Sequence, residues 1–173
     1  MKLLIEGRPG SGKTTVARRL ISLLSDEGAR VTGFTTAEIR KGGGRVGFSI
    51  ETVDGQTGVL AHVDIDGPRV GKYGVDVSGF EGLALPALEV DDARTIVVID
   101  ELGKMELLSD AFRRSVEKLF AGANWLVASV HIYSHRFTDG LKQRPDTEVV
   151  KITRANRDDL PQEIATRLFS KTN

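Results

Sequence analysis

The chain has 173 residues, with 24 Lys plus Arg balanced by 24 Asp plus Glu, and no cysteine. That length suits a single domain, residues 1–173, with a core that needs no staples, and the lack of cysteine excludes a disulfide framework or a thiolate zinc site. Zero formal charge argues against a large nucleic-acid footprint or a polybasic membrane patch; with too few apolar residues before Glu6 for a signal peptide and no run of membrane-spanning length, a cytoplasmic protein is expected.

The first element is a short apolar run, Leu3, Leu4 and Ile5, read as a buried parallel strand. It leads into GRPGSGKT, Gly7 to Thr14, which matches the phosphate-loop pattern of glycine, four variable residues, glycine, lysine and serine or threonine. Glycines at 7, 10 and 12 let the backbone wrap closely around an anion, and a helix starting near Lys13 turns its unpaired first-turn N–H groups toward that anion. Lys13 is placed to span β- and γ-phosphates, and the Thr14 hydroxyl to ligate Mg²⁺. Val16, Ala17, Leu20, Ile21 and Leu24 then form one helical face, which Gly28 ends.

Arg30 to Thr35 reads as a second strand. Residues 37–40, the triple glycine at 42–44, and Val46, Phe48 and Ile50 in alternation predict a hairpin, and Asp54-Gly55 turns the chain into a further strand over 58–63. These make a small antiparallel meander inserted after the second strand, with one more short strand at 72–77. Residues 78–93 carry apolar residues at helical spacing, with Pro86 predicting a kink or a late start.

Residues 95–99 form a β-branched apolar run, a central strand that ends in Asp100-Glu101. An amphipathic helix over 109–121 follows, with Phe112, Val116, Leu119 and Phe120 inward, and then a core strand from Trp125 to Val130 that finishes at His131. Residues 133–144 hold Arg136, Lys142 and Arg144, a basic segment read either as a lid over phosphates or as a solvated face. A last strand over 148–152 and a helix opened by Pro161, with Ile164, Ala165 and Leu168 inward, complete the chain.

Asp100 and Glu101 sit at a carboxyl strand end, where open parallel sheets bind ligands. Asp100 fits a magnesium anchor working with Thr14, and Glu101 an orienter of attacking water; a helix cap is the alternative for the pair. Lys104, expected at a helix start, is within reach of a γ-phosphate or is a surface lysine. Glu106 either fixes Lys104 or sits near the attacking water, with no part in the site as the favoured alternative, and His131 is a γ-phosphate sensor or a structural histidine. Asn156 and Arg157, just past the last strand, are placed to hydrogen-bond and stack on a base, with a turn role the alternative for Asn156.

GRPGSGKT, TAEIRKGGGRVGFSIET, RVGKYGV, VVIDELGKMEL and TRANRDDL together resemble, in order and over nearly the whole chain, the small cytosolic nucleoside-triphosphatase family of P-loop proteins. The resemblance implies a three-layer α/β fold with a mostly parallel, RecA-like sheet of the additional-strand, catalytic-glutamate type. It also implies Mg²⁺-dependent hydrolysis of ATP, GTP and other nucleoside triphosphates with weak discrimination among bases. Within DELGKMEL it carries over Asp100, Glu101, Lys104 and Glu106. The expected nucleotide-binding set is Gly7, Arg8, Pro9, Gly10, Ser11, Gly12, Lys13, Thr14, Thr15, Asn156 and Arg157; Lys13, Glu101 and Lys104 are the expected catalytic residues, with Thr14 and Asp100 on the metal. Two other readings compete: a P-loop kinase for a small acceptor, disfavoured by a carboxylate beside the magnesium aspartate, and a nucleotide-dependent switch whose exposed patch would draw on Phe34, Phe80 and Phe137. No protein partner is identifiable.

Overall fold

The computed structural model describes residues 1–170; residues 171–173 of the expected domain lie outside the described residues. Its strands are β1 (Lys2–Gly7), β2 (Val31–Lys41), β3 (Gly44–Thr52), β4 (Thr57–His62), β5 (Arg69–Val70), β6 (Tyr73–Val75), β7 (Ile96–Ile99), β8 (Trp125–His131) and β9 (Thr147–Lys151). The helices are α1 (Lys13–Asp26), α2 (Val77–Ala87), α3 (Asp110–Ala121), α4 (Arg136–Lys142) and α5 (Leu160–Phe169), with a 3₁₀ turn at Glu106–Leu108.

All nine strands join one sheet in the order β5-β6-β4-β3-β2-β7-β8-β1-β9. Pairing from β2 through β7, β8 and β1 to β9 is parallel, and from β2 through β3 and β4 to β6 and β5 it is antiparallel. The sheet is therefore evenly mixed rather than mostly parallel, and the meander continues it rather than interrupting it. The hinge between the two halves is β2. Its parallel ladder with β7 stops at Phe34↔Ile99, but the strand runs on to Lys41 against β3, beyond the carboxyl rim of β7. The crossover from β1 through α1 to β2 passes over β8 and β7, so β8 lies between the strand that enters the glycine loop and the strand that ends in Asp100.

Alternation along β1 feeds two cores. Leu4 joins Phe34, Phe80, Phe112 and Ile99 on one face, whereas Leu3 and Ile5 join Val16, Leu20, Ile164 and Leu168 of α1 and α5 on the other. Phe34, Phe80 and Phe112 pack with ring centroids 5.0 to 5.9 Å apart, tying β2 to α2 and α3. This overturns the exposed aromatic patch, because Phe34 and Phe80 are fully buried and Phe137 packs against the same core.

Local chemistry explains the helix ends. Asp76 caps α2 by accepting from the Gly79 N–H at 2.9 Å, so the helix starts at Val77, one residue before the expected Ser78; it ends at Ala87 rather than Ala93, and Pro86 falls in its last turn without delaying its start. Ser109 caps α3 by accepting from the Phe112 N–H at 2.9 Å. The expected helix start at Lys104 is instead a turn leading into the 3₁₀ segment.

Candidate active site

The site is assembled at the carboxyl rim where β1, β8 and β7 end side by side. Parallel register sets Gly7 beside His131 and Ile99 beside Ala128, which brings Asp100 and Glu101 to the same edge as the glycine turn. Gly7 has to be glycine: a Cβ there would lie 2.3 Å from Ile152 Cγ2 and 2.5 Å from Ser11 Oγ. Gly12 caps α1 at φ 102°, a left-handed conformation that a side chain would strain. Between them, the Ser11 N–H donates to Arg8 O at 3.2 Å and closes the turn. Arg8, Pro9 and Gly10 are exposed at its tip, Thr14 is half-buried and Thr15 exposed.

Lys13 doubles back over this turn. Its ammonium donates to the carbonyls of Gly7 and Arg8, each at 3.2 Å, and lies 3.3 Å from Glu101 Oε2. The other carboxylate oxygen of Glu101, Oε1, is 2.6 Å from His131 Nε2. Burial pushes the Glu101 carboxyl up, but the His131 hydrogen bond and the Lys13 charge outweigh it and hold the group below the ordinary glutamate value. Glu101 is thus an ionised carboxylate gripped from two sides.

Asp100 is 1% exposed and accepts from Ser129 Oγ at 2.5 Å through Oδ1, while Oδ2 is buried with no hydrogen-bond partner. Burial raises its carboxyl, countered by the Ser129 and Thr14 hydroxyls and raised further by the charge of Glu101. A buried carboxylate oxygen without a donor, with the Thr14 hydroxyl turned to the same group, fits a hard cation. Among the described residues no cluster of three His, Asp or Glu could hold a metal by side chains alone. A cation here would draw most of its oxygens from water and phosphate, as Mg²⁺ does.

Glu106, buried beside Glu101, has its carboxyl pushed up to about 8 by burial and then by the charges of Glu101 and Asp100, against the pull of the Glu106 and Gly103 N–H groups. Gly103 separates the two glutamates: a Cβ there would sit 2.7 Å from Glu106 Oε2 and 3.0 Å from Glu101 Oε1.

The remaining expected residues divide. Lys104 is exposed on the turn after Glu101. Arg157 flanks the loop, its Cδ 3.6 Å from where a Gly12 Cβ would be. Asn156 holds the turn after β9, accepting from the Thr153 N–H at 2.8 Å and donating to Lys151 O at 2.9 Å. The basic segment is not a three-cation lid. Lys142 is committed to Glu6 at 2.7 Å and His131 O at 3.1 Å, and Arg144 pairs with Asp146 and donates to Phe120 O, which leaves Arg136 exposed at the start of α4. Sequence reasoning missed Ser129, whose signal was a polar residue inside the apolar run of β8. It also missed Glu6, a carboxylate set directly before the loop.

A glycine turn opening a helix beside two carboxylates, at the carboxyl edge of an α/β sheet, is the arrangement of a nucleotide-handling protein. Residues 2–165 match the model of the family described as NTPase. The chain is 43% identical over 166 residues to the nucleoside-triphosphatase THEP1 of Thermotoga petrophila, covering 95% of this chain and 90% of that one. It is 34% identical over 179 residues to the cancer-related nucleoside-triphosphatase of Homo sapiens, covering 95% and 94%. The crystal structure of THEP1 from Aquifex aeolicus superposes with a TM-score of 0.86 at 34% identity, over 97% of this chain and 99% of that one. The chain belongs to the NTPase family and is an enzyme of that class.

Proposed function

We propose that the chain hydrolyses nucleoside triphosphates, ATP and GTP among them, to the diphosphate and phosphate with Mg²⁺. The observation that carries the reading is the Glu101 carboxylate, kept ionised at the loop rim beside Asp100 and in contact with the loop lysine. An anion entering the turn competes with the Gly7 and Arg8 carbonyls for Lys13, and the backbone of Gly7 to Thr15 wraps its phosphates. Thr14 and Asp100 are the residues that would hold Mg²⁺, which when bound neutralises charge on the phosphate oxygens. Glu101 orients the attacking water and accepts its proton, and Lys104, exposed beside it, supplies a cation to the terminal phosphate. Arg157 offers a flat guanidinium for a base to stack on, a contact indifferent to base identity, and Asn156 stands next to it.

The test is phosphate release with Mg²⁺ and no acceptor, which a kinase would not show. Glu101→Gln should keep nucleotide binding and lose about 10²- to 10⁴-fold in kcat. Lys13→Ala should lose binding too, and chelation of the metal should stop turnover. Unchanged turnover in the Gln variant removes Glu101 from the reaction, and kcat/KM values for ATP, GTP, CTP and UTP that differ by more than about 100-fold refute broad base tolerance.

A further inference from the structure

Glu101 has one partner on each oxygen, and the two have different futures. The Oε2 partner, Lys13, is the group that a triphosphate claims, so nucleotide binding strips that contact away. The Oε1 partner is the imidazole of His131, anchored in a parallel strand whose end is paired with Gly7. We propose that His131 is a positioning residue that keeps Glu101 in place through Oε1, so that Oε2, vacated when Lys13 turns to the phosphates, is the oxygen that takes the attacking water. This rests on the hydrolytic reading above and adds to it a residue and a division of labour between two oxygens.

Three features of the structure support it. The His131 contact, at 2.6 Å, is the tighter of the two, against 3.3 Å for Lys13. The ring is itself held: Tyr133 stacks on it with centroids 6.0 Å apart and planes 22° from parallel, and Lys142 donates to the His131 carbonyl at 3.1 Å while pairing with Glu6 on the neighbouring strand. His131 Nδ1 is buried with no partner, so the contact of Nε2 with the Glu101 carboxylate is the polar contact that the ring itself makes. Without that contact, a carboxylate that has lost Lys13 would face Asp100 and the enclosed Glu106 with nothing to fix its direction. A misaimed base costs turnover rather than affinity.

The experiment compares His131→Gln with His131→Phe. Both fill the site, but only Gln offers an N–H to Oε1. Melting temperature, nucleotide affinity for ATP with Mg²⁺ and steady-state kinetics are measured for each. Expected are a kcat about 10- to 100-fold below wild type for Phe, recovery to within about 5-fold for Gln, and nucleotide Kd within about 2-fold in both. In a Glu101→Gln background the Phe substitution should add almost nothing, because the two residues act as a unit. Equal turnover of the Phe and Gln variants, or a Kd that rises in step with the loss of kcat, overturns the inference; the second result would mean that His131 touches the phosphates directly. A wild-type rate in Glu101→Gln alone would instead remove Glu101 from the reaction, and no phosphate release by the parent chain without an acceptor would sink the hydrolytic reading itself. Should Phe prevent folding, Gln decides: a kcat as low as that of His131→Ala at unchanged melting temperature overturns the inference.

Discussion

Glu106→Gln should become more stable, relative to the parent chain, as pH rises from about 5 to 8, because the wild-type carboxyl has to stay protonated to remain where it is. Its native value of about 8 lies above the 4.5 of a free glutamate, driven first by burial and then by the charges of Glu101 and Asp100. The native chain therefore holds a proton that the unfolded chain releases. The stability tied to that proton is complete below about 4.5, falls by about 1.4 kcal/mol per pH unit through the window, and levels off above 8. A neutral amide of the same shape escapes the slope. Between pH 5.5 and 7.5 the difference between variant and parent should thus grow by about 3 kcal/mol, roughly 5–10 °C in melting temperature for a chain of this size. Glu101 does not interfere, since its depressed carboxyl is already ionised throughout that window and would cost stability only at lower pH. Parallel thermal melts of the two proteins by circular dichroism, without nucleotide and with a chelator present, read the difference directly. A difference that stays flat within about 0.5 kcal/mol over those two pH units would mean that Glu106 titrates normally and that the enclosed carboxyl is not neutral.

Two glycines give sharper tests of the frame around the site. In Gly33→Ala the new Cβ would lie 1.9 Å from the Val98 carbonyl oxygen, with φ at +116°, in the parallel ladder joining β2 to β7. Denaturant unfolding should show a loss of about 3 kcal/mol or more, and a loss under 1 kcal/mol would show that the ladder can spread. Gly103→Ala drives a methyl between the Glu101 and Glu106 carboxyls. It should lower kcat by about 10-fold or more while nucleotide affinity holds, and unaltered kcat would show that Glu101 needs no fixed position.

What the sequence revealed, and what it withheld, follows the range of the interactions. The glycine loop, the helix it opens and the acid pair closing β7 were legible because each is a local pattern of residue types with one chemical purpose. The α2 boundary was misjudged at its far end for an equally local reason: apolar spacing was read on to Ala93, but the helix closes at Ala87, where the Leu88 N–H donates to Leu85 O at 3.1 Å. Sheet order is different in kind. Nothing along β8 announces that it lies between β1 and β7, yet that insertion puts Ser129 within 2.5 Å of Asp100 and His131 within 2.6 Å of Glu101. The basic segment shows the same limit from the other side. Arg136, Lys142 and Arg144 look alike as sequence, but α4 turns Lys142 inward to Glu6 and the His131 carbonyl and carries Arg144 away to Phe120 O, the carbonyl at the end of α3. Of the charge that reads as a lid, that of Lys142 is spent on holding the strand ends that carry the loop and the histidine. Cations of one segment can therefore support a phosphate site without touching it, and only the packing of the helix against the sheet tells the two uses apart.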